Sequence, residues 1–272
     1  MRRFYILNIE ELHQVARQEM ILAGLNLKRR EKALKCRREE DRRLSMAAGA
    51  LLQYGIWRWQ QEQVPLPEPL QQGLKLPEPM PQEPLQQGLK LPEPMPQEPL
   101  QQGLKLQEPL PPETDGSIWE PVTWEHLEAC FQSSAPAITF REGAHGKPYL
   151  EDLPVHFNLS HSGSMVLCGI SDSQIGVDIQ KKEPGNHERL WKRYFSDKEK
   201  ELFSLCRSLE EQEELFYRLW THKEAYGKLT GEGLSGASGL IASPLLEREK
   251  LGICLEERTP VPGYCAAACW YA

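Results

Sequence analysis

Glu224 and Lys228 stand four residues apart in Phe216-Tyr-Arg-Leu-Trp-Thr-His-Lys-Glu-Ala-Tyr-Gly-Lys-Leu229, just ahead of Gly231 and Gly233. That spacing puts both side chains on one helix face. A carboxylate and an ammonium held together at a helix end suit a ligand that combines a cation with phosphate. Upstream, Ile175-Gly-Val-Asp-Ile-Gln180 alternates in polarity as a half-buried strand does. Asp178 and Gln180 then share a face, about 7 Å apart by strand geometry. A strand with Ile175, Val177 and Ile179 inside rarely spends a position on Asp unless something pairs with it. Asp178, Gln180 and Glu224 together offer two or three oxygen ligands with positions left for water and phosphate, a set that suits Mg²⁺ better than Ca²⁺.

These residues need elements to carry them. Phe4 to Ile9 reads as a first strand, and Glu31 to Gln60 as one long helix or a helix pair, with Leu44, Ala47, Ala48, Leu51 and Leu52 as its core stripe. A short helix is expected over Thr123 to Phe131. His156 to Ser160 and Met165 to Ile170 form a hairpin about Gly163. Within it, Asn158-Leu-Ser-His-Ser162 sets hydroxyls and an imidazole at a strand-to-turn junction, where side chains and free amides meet phosphates. A serine hydrolase is disfavoured, because Ser160 and His161 point to opposite strand faces and no Gly-x-Ser-x-Gly elbow occurs. Helical sequence runs from about Pro184 to Lys228, broken near Phe195-Ser196, with Ser196 and Glu199 forming a capping box. On its last part Tyr217, Thr221, Glu224 and Lys228 make a polar stripe, the expected active face. Leu215, Phe216, Leu219 and Trp220 make an apolar one. Gly236 to Ala272 reads as strands and turns.

Between these parts the composition changes abruptly. Fourteen of the 22 prolines lie between Pro65 and Pro112, within a 15-residue unit that starts at Glu68, recurs at Glu83 and returns altered at Glu98. Such proline density rules out a continuous helix or central strand, and an extended linker is the expected form of residues 64–113. The net charge of -7 offers no general case for nucleic acid, although nine Lys or Arg against four Asp or Glu crowd Lys28 to Arg43. Seven scattered cysteines without a Cys-x-x-Cys pair, no signal-peptide core and no apolar run of spanning length point to a soluble cytoplasmic protein with reduced thiols.

Taken in order, the basic N-terminal region, Gly146-Lys147-Pro148, Phe157-Asn-Leu-Ser-His-Ser162, Gly176-Val-Asp-Ile179, Phe195-Ser-x-x-Glu199, Trp220-Thr-x-Lys-Glu-Ala-x-x-Lys228 and Gly231-x-Gly-Leu234 resemble the Sfp-type 4'-phosphopantetheinyl transferases. The resemblance implies an α+β protein of two similar lobes related by a pseudo-twofold axis, residues 1–173 and 174–272, the first carrying the repeat insertion. It implies transfer of phosphopantetheine from coenzyme A to a serine of an apo acyl or peptidyl carrier protein, with Mg²⁺, in a monomer that binds neither nucleic acid nor membrane. Asp178 and Glu224 match metal ligands, with Gln180 where a second acid is usual. Lys228 matches a pyrophosphate contact, and Glu224 the general base. Ser160 and His161 match phosphate contacts, Lys147 and Pro148 the turn beside adenine, and Arg29, Lys32 and Arg43 the groups near the 3'-phosphate. Glu199 matches the glutamate of the Phe-Ser-x-x-Glu motif. The competing reading is a catalytically silent scaffold that uses the repeats for docking.

Overall fold

A computed structural model describes residues 1–63, 117–133, 139–143, 147–185, 187–234 and 243–272. The chain opens with β1 (Arg2–Asn8), a 3-10 turn (Glu10–His13) and three helices, α1 (Val15–Gly24), α2 (Leu27–Leu34) and α3 (Glu39–Gln63). After β2 (Ser117–Val122) come α4 (Trp124–Gln132), the short strands β3 (Phe140–Glu142) and β4 (Pro148–Leu150), and the hairpin β5 (His156–Ser162) and β6 (Met165–Ser171). The rest consists of β7 (Ile175–Lys181), α5 (Glu188–Tyr194), α6 (Asp197–Leu205), α7 (Leu209–Thr230), α8 (Pro244–Leu251), β8 (Ile253–Arg258) and β9 (Tyr264–Tyr271). The fold is α+β. The 15-residue repeats lie outside the described residues.

Two sheets form the centre, one with order β2-β1-β6-β5 and one with order β7-β9-β8. Strand alternation sorts their side chains cleanly. Tyr5, Leu7, Val166, Cys168 and Phe157 pack under α3 and α4. From the other face, Phe4, Ile6, Met165 and Leu167 meet Ile175, Val177, Ile179, Ala266, Ala268 and Trp270 of the second sheet. The far side of that sheet, Leu255, Ala267 and Cys269, packs against Ala225 and Leu229 of α7. The layers therefore run helices, sheet, sheet, helices. Arg2 over the Trp270 ring, 4.5 Å from its centroid, ties the first strand to the last.

The edges of the two sheets also meet. Alternate residues of β5 turn toward β7 and accept its outward N–H groups: Val177 N donates to Asn158 Oδ1 (3.0 Å), Ile179 N to Ser160 Oγ (3.3 Å) and Lys181 N to Ser162 Oγ (3.0 Å). A side-chain ladder thus replaces a backbone ladder along this seam.

The structure corrects two expectations. The segment after Gly236 contains helix α8, which Pro244 at its first turn and Gly252 at its left-handed C-cap, φ 62°, announce in sequence. The polar stripe of α7 is not all active face: Thr221 is buried, its hydroxyl spent on Tyr217 O at 2.6 Å and next to Cys265 Sγ, and the Tyr217 hydroxyl is bonded to the backbone of Glu183.

Candidate active site

The site forms where α7 lies directly on β7. Gly176 permits the contact: a Cβ there would stand 2.0 Å from Ala225 O and 2.5 Å from Leu229 N, a distance no side chain tolerates. Two residues on, Asp178 faces the same helix. Its Oδ1 accepts from Lys228 Nζ at 2.7 Å and from Ser160 Oγ at 2.7 Å, and its Oδ2 from Gln180 Nε2 at 2.9 Å. Lys228 Nζ donates also to Ser160 Oγ, at 2.8 Å. Asp178 and Gln180 share the face that strand alternation gives them, but Gln180 turns its amide N–H to the carboxylate, so it supports Asp178 in this arrangement.

Glu224 sits one turn before Lys228, half-buried, and among the described residues its carboxylate has no hydrogen-bond or ion-pair partner. Burial first, and then the Asp178 charge, raise its pKa above the ordinary carboxylate value, against the pull of Lys228. Two acids converging without enough cations to satisfy them fit a divalent metal that keeps open positions for phosphate. Among the described residues no group of three His, Cys, Asp or Glu that could hold a metal ion assembles; the oxygen groups of the site are the Asp178 and Glu224 carboxylates, with the Gln180 amide beside Asp178.

The basic groups fall into two places. His161 is largely exposed, yet crowding of its ring and the charges of Lys228 and Lys32 hold its imidazole below the usual value, which places Lys32 of α2 and Lys228 on the same side of the site. Arg43 is half-buried on α3. Arg29 stacks over Phe140, 5.4 Å from the ring centroid, and burial lowers its pKa. Lys147 lies further off. Its ammonium donates to Ile175 O (3.2 Å) and Leu229 O (3.0 Å), pinning the start of β7 to the end of α7. Burial pushes its pKa down to about 8. Ile175 precedes Asp178 by three residues, roughly 10 Å along the strand. Around Lys147 opens a cleft of about 550 Å³ whose walls include Pro148, His156, Phe157 and Leu229.

Glu199 is completely buried. Its Oε2 accepts from Ser196 N at 2.7 Å and closes the capping box of α6, and it pairs with Lys223 Nζ at 3.0 Å. Lys223 precedes Glu224, so this pair fixes the rotation of α7 that brings Glu224 toward Asp178. Sequence reasoning passed over Lys223 and over the ladder roles of Asn158 and Ser162. Lysine in the middle of an otherwise apolar helical face was the available signal for the first, and polar residues at every second position of β5 for the others.

Residues 174–268 match the family profile described as the 4'-phosphopantetheinyl transferase superfamily. The chain is 42% identical over 106 residues to the 4'-phosphopantetheinyl transferase Sfp of Bacillus subtilis (strain 168), covering 39% of this chain and 46% of that protein. It is 36% identical over 153 residues to the 4'-phosphopantetheinyl transferase ffp of Bacillus subtilis, covering 51% and 66%. With the 4'-phosphopantetheinyl transferase AcpT of Escherichia coli (strain K12) it shares 32% identity over 142 residues, covering 48% and 69%. The chain spans about half the length of several of the curated relatives it matches.

Proposed function

The chain belongs to the 4'-phosphopantetheinyl transferase superfamily, and on that premise we propose that it moves the 4'-phosphopantetheine of coenzyme A onto a serine of an apo carrier protein. The observation that carries this reading is the convergence of Asp178, Glu224 and Lys228, with His161 and Lys32 on the same side. Asp178 and Glu224 would hold Mg²⁺, which when bound neutralises pyrophosphate charge. Lys228 supplies a mobile ammonium for the pyrophosphate, and Lys32 and His161 extend the positive and hydrogen-bonding surface toward the coenzyme's other phosphate. The cleft at Lys147 and Pro148 has room for the adenine end.

In the reaction the carrier serine oxygen bonds to the β-phosphorus while the bond from that phosphorus to the bridging oxygen breaks. Adenosine 3',5'-bisphosphate leaves. Glu224 takes the serine proton: among the described residues its carboxylate has no hydrogen-bond partner, so one oxygen can face the metal and the other the serine hydroxyl. Positioning by Asp178, Lys228 and the buried Glu199–Lys223 pair supplies much of the remainder.

The two sheets, each with helices on its outer face, support a division into lobes 1–173 and 174–272 related by a pseudo-twofold axis, and the family match begins at residue 174. Assembly of the acid pair and Lys228 weighs against a silent scaffold. Incubation with coenzyme A, Mg²⁺ and an apo carrier protein tests the reading. One added phosphopantetheine by mass on the carrier serine is the expected result, and an unchanged carrier across acyl and peptidyl types would overturn it.

A further inference from the structure

The hairpin of β5 and β6 ends in the turn Gly163–Ser164, and the backbone of Ser164 is held from both sheets. Its carbonyl accepts from Ile9 N at 2.8 Å, just past β1 of the first sheet. Its N–H donates to the hydroxyl of Tyr264, the first residue of β9 in the second sheet, at 2.9 Å, and the Ser164 hydroxyl lies 3.3 Å from the same oxygen. Gly163 makes room for this contact: its φ is 53°, and a Cβ there would collide with the Tyr264 hydroxyl and with Lys181 Cδ. The Tyr264 ring is buried between the sheets with Met165 and Ile179. Phe would fill the same volume, so what the hydroxyl adds is the tie to the turn. Lys181, the last residue of β7, pairs with Tyr264, and its own N–H goes to Ser162 Oγ. The tie therefore closes the seam one step beyond the last rung of the side-chain ladder, at the end of β5 that carries His161.

That place matters because the charges of the site come from both sides of the seam. Asp178, Glu224 and Lys228 belong to β7 and α7, and His161 and Lys32 to β5 and α2. On the transferase reading above, the first group meets the pyrophosphate and the second the coenzyme's other phosphate. One ligand then bridges the seam, and its affinity depends on how well the span between the two groups is set before it arrives.

We propose that Tyr264 is a positioning residue that locks the end of β5 to β9 through the Ser164 N–H, fixes the span between the two phosphate-binding groups, and so sets the preference for coenzyme A over 3'-dephospho-coenzyme A. This rests on the transferase reading. Without the hydroxyl the Ser164 N–H loses its acceptor, and a turn with an unpaired amide shifts to find water. His161, two residues before the turn, moves with it. A ligand that lacks the 3'-phosphate engages the second-sheet group without the far contact and is indifferent to the shift.

The test measures affinity by calorimetry for coenzyme A and for 3'-dephospho-coenzyme A, in Mg²⁺ and without carrier. Wild type should bind coenzyme A about tenfold or more tighter, the worth of charge-assisted contacts to the added phosphate. Tyr264→Phe should weaken coenzyme A about 5- to 20-fold and the dephospho ligand by less than about twofold, because only the bridging ligand uses the preset span. The ratio of the two affinities decides: narrowing by about threefold or more supports the proposal, and a smaller change overturns it, since a general loss of stability weakens both ligands alike. A wild type that binds the two equally overturns it as well. Should Tyr264→Phe melt below the assay temperature, Gly163→Ala breaks the same tie from the turn side, and the same threshold applies. A wild-type protein that loads no carrier overturns the transferase reading itself, whereas an active wild type with an unchanged ratio in the variants overturns only the role of Tyr264.

Discussion

Helix α7 carries two ammonium–carboxylate pairs that look alike on paper. Lys223 meets Glu199 at 3.0 Å with side chains 1% and 0% exposed, and Lys228 meets Asp178 at 2.7 Å with side chains 28% and 2% exposed. Five residues of helix turn the two lysines about 140° apart, so one points into the packed layer under α6 and the other to the rim. Burial depresses the pKa of Lys223, with Glu199 restraining the drop. The sealed pair is shut off from solvent and serves to hold α7. The open pair can exchange its partners for a ligand's. Exposure of one end, rather than the identity of the charges, separates a fastener from a working group.

Breaking the sealed pair should have the largest effect. Lys223→Met leaves a buried carboxylate unpaired and should cost about 3–5 kcal/mol in chemical denaturation, while Lys223→Met with Glu199→Leu should recover most of that loss. Equal losses in the single and double variants would show that the pair does not act as a unit. Glu224→Gln should do the converse, lowering the transfer rate by at least about 10²-fold while leaving the denaturation midpoint unchanged or higher, since it removes a carboxylate that burial disfavours.

His222, beside Lys223, sharpens the sealed side. Burial, then the Arg218 charge, push its pKa down to about 3 from an ordinary 6.5. Its Nε2 lies 3.4 Å from Glu257 Oε2, but Arg218 Nε already holds that oxygen at 2.7 Å, so the ring is neutral. The unfolded chain therefore binds the proton first as pH falls. Stability should drop by about 1.4 kcal/mol per pH unit from this residue between pH 6.5 and about 3, and be fully present above 6.5. His222→Leu should flatten acid denaturation by one proton, and an unaltered slope would contradict the assignment. The smallest effect belongs to Gln180→Glu on the open side. Exchanging an amide donor for a second carboxylate against Asp178 should cost about 1 kcal/mol in EDTA and lower the Mg²⁺ needed for half-maximal transfer a few-fold. Melting curves with and without metal, paired with a Mg²⁺ titration of activity, check both halves.

Much of the frame was legible in sequence because period and caps are local. The alternation of Ile175 to Ile179 gave a strand with Asp178 and Gln180 on one face, and Ser196 with Glu199 gave the start of α6. Helix α8 escaped because its eight residues are short and kinked at Glu247, φ -127°, although Pro244 and Gly252 framed it. The partners of Ser160 and Gln180 were not legible. Which of three available groups a hydroxyl or amide satisfies depends on elements far apart in sequence, here β5, β7 and α7. Thr221 illustrates the same limit, since four-residue spacing put it on the stripe of Glu224 while the Cys265 strand beneath it decided its burial.

The ladder from Asn158, Ser160 and Ser162 to β7 has an effect on the fate of the chain in crowded solution. Both β5 and β7 end their sheets, and an unpaired edge is a template for strands of other molecules. Here short polar side chains occupy the N–H groups of Val177, Ile179 and Lys181, so each edge guards the other. Loss of Asn158 or Ser162 would leave those amides seeking acceptors, and self-association during folding would be felt before any loss of chemistry.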